Sequence, residues 1–492
     1  MRTMLVALGW LAAIGAGVPA PGAAPPAAVR AEGVDETLLA TVRAQAQKEL
    51  VGGLEKHAAW CEAARLFAAR DEAFREIVAI APEHEKARRG LGHRRDADGN
   101  WKDPDPDRPP ARNFDRSKLK EAAERLAAAR RPYSDCLHAF LAAHASELSA
   151  AQLRGLVAEI LARDPADARA HALLGHVELD GAWVLAETAA ARARRRELGE
   201  LVRGLAAAAP APSEATPSAR DARIGLEWSA VVATPRFRAL GTVGRDEAVQ
   251  ALRALHVAEG YCAGALGTRA RLADGLTVYL LGDPVEKVAL IEGHPDPTPE
   301  DRAYLMTLDG AGIPGSSDIA YWAKSEARRV DGVVRVALGV LLTSGFEISP
   351  YDHAWVYEGF GLYMTYEILR TRLNWFALAA HDLPAEEEQA LRSRLIRPET
   401  PWMQEAYDLL RRTEAPALPG ILKKDLNSLT AVDLVLSYAL SAFLIEAHPG
   451  ETPAILGAIG GGKDSTLVLQ EALGMDLAAL EARLETWLQE RR

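Results

Sequence analysis

Cysteine is scarce in this chain: three residues, Cys61, Cys136 and Cys262, odd in number and far apart among 492. That spacing argues against a disulfide framework, and the thiols are expected to serve as small buried apolar residues. Positive charge is also short, with 57 Lys and Arg against 68 Asp and Glu and a net charge of -11, which speaks against a general nucleic-acid binder. Aromatics stand at only 6%, so alanine-rich helix is the expected filling of the interior. No Gly-x-Ser-x-Gly elbow and no Cys-x-x-Cys pair occurs, leaving nucleophilic catalysis without support. What is present, 49% hydrophobic and 25% charged residues, is ordinary globular composition, enough for two to four domains at about 100 to 200 residues each.

No apolar run reaches the roughly 18 residues of a spanning helix. The longest, Met4 to Val18, follows Arg2 and precedes the Pro- and Ala-rich stretch Pro19 to Ala28, which is the pattern of a secretory signal peptide over 1–28. Ala20 and Ala24 are each followed by proline, a poor residue after a cut, so an uncleaved anchor stays as the alternative. The expectation is an exported protein, periplasmic or extracellular, with no other transmembrane span.

Two segments repeat each other. Leu91-Gly92-His93 followed by Asp98-Gly99-Asn100-Trp101 returns 83 residues later as Leu174-Gly175-His176 followed by Asp180-Gly181-Ala182-Trp183. Each unit predicts a helix stopped at its C-cap glycine, then a hairpin whose Asp-Gly supplies a left-handed turn, with the tryptophan folding back onto the helix. His93 and His176 read as lone histidines beside caps and are left unassigned. Upstream, Trp60-Cys-Glu-Ala-Ala64, Ala79-Ile-Ala-Pro-Glu-His84 and Ala87-Arg-Arg-Gly-Leu-Gly92 together resemble a degenerate tetratricopeptide helical pair. The domain reading is a tetratricopeptide-like region over 33–205, a linker rich in Ala, Pro and Ser over 206–221, and a second domain over 222–492. The fold class expected is mainly α with a small β-sheet, α+β.

In the second domain, β-like segments at Leu226 to Thr234, with a strand pair over Ala230 to Arg238, at Thr277 to Leu281 and at an edge-like Ile319 to Trp322 surround a helix over Arg245 to Leu266. An apolar helix from Ala327 to Leu342 follows, then Ala354-Trp-Val-Tyr-Glu-Gly-Phe-Gly-Leu-Tyr363, and finally Leu473-Gly-Met-Asp-Leu477. Gly310 to Ser317 reads as a plain loop, and Gly460-Gly-Gly-Lys463 as a turn between helices rather than a phosphate loop.

This succession resembles the peptidase-MA-like, or gluzincin, zinc metallopeptidases over roughly residues 227 to 490, and a zincin-like fold is what the resemblance implies. In that family one helix carries His-Glu-x-x-His and the next helix a glutamate as third zinc ligand, the position matched by Glu358. The spacing i, i+4 sets both imidazoles on one helical face. Here Asp331-Gly332-Val333-Val334-Arg335 stands in place of the histidine motif. Arg335 has no acceptor and Gly332 no side chain, so neither ligand nor general base is supplied and no catalytic residue is assigned. The reading is that the Arg335 guanidinium sits in the zinc position, held between Asp331 and Glu358; a solvated Asp331–Arg335 surface pair is the bland alternative. His353, Trp355 and Tyr357 are candidate binding residues beside Glu358. No metal and no cofactor is expected, zinc only under the alternative below.

The functional expectation is thus an exported, non-catalytic pseudopeptidase that binds protein or peptide, through strand addition in a cleft between edge strand and apolar helix. The alternative is a divergent metal-dependent hydrolase using Asp331, Glu358 and His353. An envelope scaffold in which the second domain is only a packed body is a third.

Overall fold

The computed structural model describes residues 34–105, 109–376, 386–412 and 417–491, so the expected signal peptide lies outside the described residues. The fold is mainly helical with small sheets, and contacts divide it into two compact units, up to Val177 and from Glu178 onward. Among the described residues no helix is long and apolar enough to cross a membrane.

The first unit contains α1 (Glu36–Ala63), α2 (Phe67–Ile80), α3 (Glu85–Leu91), the hairpin β1 (Arg94–Arg95) and β2 (Trp101–Lys102), then α4 (Leu119–Ala143), α5 (Ala150–Leu161) and α6 (Ala168–Leu173). Leu50, Leu54, Phe74, Ile77, Leu137 and Ile160 stand in its core, those of α1 and of α2 spaced one helical turn apart. Gly92 caps α3 in the left-handed region at φ 96°, and Trp101 lies under Arg88 of that helix, with its indole N–H donating to Glu83 at 3.1 Å. The second copy of the motif makes the hairpin β3 (His176–Leu179) and β4 (Ala182–Leu185), turned through Asp180 and Gly181, both with positive φ.

From Glu178 the second unit takes in β4 and then α7 (Ala186–Ala208), a helix expected to belong to the N-terminal region. It packs instead on α9 (Arg245–Leu266), where Gly260 and Gly264 leave room for the side chains of Leu205 and Leu201. The expected linker 206–221 is likewise structured: it carries the end of α7, the strand β5 (Ser213–Glu214) and most of α8 (Ala219–Arg223). β5 joins the sheet by backbone pairing to β6, which a Pro- and Ala-rich composition does not reveal.

The sheet continues with β6 (Ala230–Ala233), β7 (Phe237–Gly241), β8 (Leu276–Leu281), β9 (Gly310–Gly312) and β10 (Ile319–Trp322), in the order β5-β6-β7-β8-β10-β9. Strands β7, β8 and β10 run parallel, and both flanks pair antiparallel. Two sequence expectations change here. Ile319 to Trp322 is an inner strand, and the edge is β9, taken from the stretch read as a loop. Gly-Ala-Gly has no strand propensity; pairing to β10 holds it.

Alternation along β8 fixes what each face covers. Val278 and Leu280 join the core of α9 and α12 (Glu326–Phe346), while Tyr279 and Leu281 pack on the other face with Leu290 of α10 (Pro284–Gly293). The short α11 (Pro299–Leu305) follows α10. Next come α13 (Ala354–Leu369), α14 (Glu386–Leu395), α15 (Trp402–Arg412), α16 (Leu418–Ile421), α17 (Ala431–Ala447), α18 (Thr452–Gly460), α19 (Ser465–Leu473) and α20 (Leu477–Arg491). α13 and α17 are apolar almost all round and therefore lie in the interior, touching where Gly359 meets the backbone of Ser437. That geometry buries the middle of α12 against α13.

Candidate functional site

Asp331, Arg335 and Glu358 are all 0% exposed. A surface Asp331–Arg335 pair is thereby ruled out. The Arg335 guanidinium lies 3.2 Å from Glu358 Oε1 through Nη2, donates from Nε to the carbonyl of Asn374 at 3.4 Å, and covers the face of Phe376 at 4.9 Å. Glu358 Oε1 also accepts the backbone N–H of Phe376 at 3.2 Å. The guanidinium fills the slot between α12 and α13 so closely that at Gly361 a Cβ would coincide with Arg335 Nη1. Glycine at 361 is what gives the guanidinium its room.

Asp331 is placed differently from the sequence expectation. Its carboxylate does not clamp Arg335; it accepts from the backbone N–H groups of Leu373 and Asn374, both at 3.1 Å, and from Asn374 Nδ2 at 2.7 Å. Asn374 in turn donates to the carbonyl of Arg328 at 2.7 Å and accepts from the Tyr321 hydroxyl at 2.5 Å. Asp331 thus fastens the segment after α13 onto α12, and that segment closes over Arg335. The ring of Tyr321 occupies the space a side chain at Gly332 would need. Neither position offers a base to an incoming water.

Electrostatically the site is strained. Burial pushes Glu358 above its ordinary value, with Arg335 pulling it back down, and burial likewise raises Asp331 against the N–H groups that favour its charge. Both Nη atoms of Arg335 and Oε2 of Glu358 lack hydrogen-bond partners. A guanidinium offers five donors, and this slot answers few of them.

A raised carboxyl value has a definite sign in stability. Asp331 holds its proton in the folded chain at a pH where the unfolded chain has released it, so its contribution is full below the unfolded value of 3.8 and is lost as pH rises through the folded value. Asp331→Asn stays neutral throughout. Its urea midpoint relative to the unaltered protein is therefore expected to climb as pH is raised from about 4 to 8; a relative midpoint that falls over that range would contradict the assignment.

A divalent ion does not fit these residues. Asp331 spends its oxygens on backbone and amide donors, Arg335 brings a fixed positive charge beside Glu358, and among the described residues no three His, Cys, Asp or Glu side chains are placed to hold a metal. Of the three candidate binding residues only Tyr357 stays beside the pair, its ring 6.0 Å from that of Phe376 and its hydroxyl within the field of Arg335 and Glu358. His353 precedes α13 and its Nδ1 accepts the N–H of Ser349 at 3.1 Å; burial lowers its pKa. Trp355 is 1% exposed and donates to Ser465 Oγ at 3.1 Å, which takes it out of reach of a ligand. Tyr357 is half-buried against Gly339 of α12, its hydroxyl pushed up to about 12 by burial.

Sequence reasoning passed over Tyr321, Gly361, Asn374 and Phe376, which complete the site. Two glycines, Gly359 and Gly361, in an otherwise apolar helix were the available signal, since glycine costs a helix about 1 kcal/mol unless something occupies the space. Comparison of this chain with models of protein families, with curated proteins and with solved structures gives no match.

Proposed function

We propose that the second unit is a peptidase-MA-like domain whose zinc centre has been replaced by an internal ion pair, and that the protein is an exported, non-catalytic binder of protein or peptide. The observation that carries this reading is the Arg335 guanidinium, fully buried and 3.2 Å from Glu358. Two features support it further. The helix bearing Asp331 and Arg335 follows a mixed sheet and packs against the helix bearing Glu358, the order the gluzincin resemblance implies. The base position is a glycine covered by Tyr321. A site closed to solvent and filled by a permanent cation activates no water, so binding is assigned to the exposed rim, where among the described residues β9 ends the sheet with no strand on its outer side. The divergent-hydrolase alternative requires a metal beside Arg335, and like charge opposes it.

The arrangement is tested by restoring imidazoles. Asp331→His with Arg335→His sets two histidines one turn apart, opposite Glu358, and the double variant is expected to retain about one equivalent of zinc after dialysis, measured by mass spectrometry. The unaltered protein is expected to retain none and to leave peptide substrates intact. Stoichiometric zinc in the unaltered protein, with peptide cleavage abolished by Glu358→Gln, would establish the hydrolase instead.

A further inference from the structure

A cavity of about 370 Å³ opens between α1, α2 and α4 of the first unit, far in sequence from the ion pair. His57 lines it and is itself only 5% exposed, yet its Nδ1 has no hydrogen-bond partner. The other nitrogen, Nε2, lies 3.3 Å from Cys61 Sγ, one helical turn along α1. Burial pushes the Cys61 thiol up to about 11, so at neutral pH it keeps its hydrogen. Burial, then Arg130, lowers His57, so the imidazole is neutral. A neutral imidazole carries one N–H; we assign the thiol hydrogen to Nε2, which places that N–H on Nδ1. The cavity therefore holds a buried donor waiting for an acceptor.

Its remaining polar lining leans the same way. Asn113 uses Oδ1 to accept from the N–H groups of Ala68 and Ala69, at 3.0 and 3.2 Å, which leaves its Nδ2 as a further donor. Arg75 stands exposed on the rim. Glu72, one turn from Arg75 on α2, is the opposing charge on that rim, and Glu76 on the same helix is held by Arg130 at 2.7 Å. The walls are apolar: alanines of α2 and α4, with Leu126 and the 40%-exposed Leu119.

We propose that this cavity binds a small organic carboxylate with an apolar body, its oxygens received by His57 Nδ1, Asn113 Nδ2 and Arg75 and its body by Leu119 and Leu126. The site is separate from the pseudopeptidase reading and does not depend on it. Three donors against one carboxylate decide for an anion over an amine.

The test uses the full chain and two probes of matched shape, 3-phenylpropanoate and 2-phenylethylamine, followed by calorimetry and saturation-transfer NMR. The carboxylate is expected to bind at least about tenfold more tightly than the amine. His57→Phe, which keeps the ring, is expected to lose about tenfold in carboxylate affinity, and Arg75→Glu to lose as much or to reverse the preference. Arg75 is on the surface, so that variant folds whether or not His57→Phe does. No saturable binding of the carboxylate, equal binding of the amine, or an affinity unchanged by Arg75→Glu would overturn the proposal.

Discussion

Replacing Arg335 by methionine is expected to destabilise the protein by about 3 to 5 kcal/mol, because Glu358 is then left as a buried carboxylate with no counter-charge. The loss does not belong to Arg335 alone. Glu358→Leu strands the guanidinium and is expected to cost a similar amount, whereas Arg335→Met combined with Glu358→Leu removes both charges and should return stability to the starting value or above it. The reason lies in the poor satisfaction of the pair: both Nη atoms and Glu358 Oε2 have no hydrogen bond, so apolar groups of similar volume give up little. Lysine is not a substitute at 335. Its ammonium lacks the plane that rests on Phe376 and the fork that spans Glu358 and the Asn374 carbonyl. Urea unfolding followed at two wavelengths measures all four proteins, and independent, additive effects of the two substitutions would refute the coupling.

Gly361→Ala is expected to be nearly as damaging, by about 3 kcal/mol, since the new methyl falls on Arg335 Nη1 and the guanidinium, fully enclosed, has nowhere to retreat. The same substitution placed in the Arg335→Met protein should be harmless or stabilising by up to about 1 kcal/mol, the usual gain of alanine over glycine inside a helix. This change of sign distinguishes a glycine kept for the guanidinium from one kept for helix packing. Gly359 is the internal control: it faces the Ser437 backbone, not Arg335, so Gly359→Ala should damage both backgrounds alike.

How far the residues alone foretold this centre varies with the kind of contact involved. The helix Arg245 to Leu266 was legible to the residue from its apolar periodicity, and the apolar helix carrying Arg335 nearly so, because a buried stripe must be written in side chains. The facing of Arg335 and Glu358 was legible through the gluzincin resemblance, which sets the two helices against each other, with the need of a buried charge for a partner as its physical support. Asp331 was misplaced for a physical reason: its partners are backbone N–H groups more than forty residues downstream, and every residue except proline has such a group. The edge strand Gly310–Gly312 and the strand Ser213–Glu214 escaped notice in the same way, as both are held by main-chain pairing. The helix Ala186–Ala208 was assigned to the wrong unit because its leucines fill gaps made by glycines sixty residues on, a pairing that only the folded chain brings together.

Arg335 and Glu358 form a centre of charge wholly enclosed by the fold. A permanent cation lies against the carboxylate, the Tyr321 ring covers Gly332, and a fastened segment closes the slot. The most direct test is diffraction at the zinc absorption edge from crystals of the unaltered protein grown with zinc. The account predicts guanidinium density against Glu358 and no anomalous peak beside it; an anomalous peak bonded to Glu358, with Arg335 swung away, would contradict it.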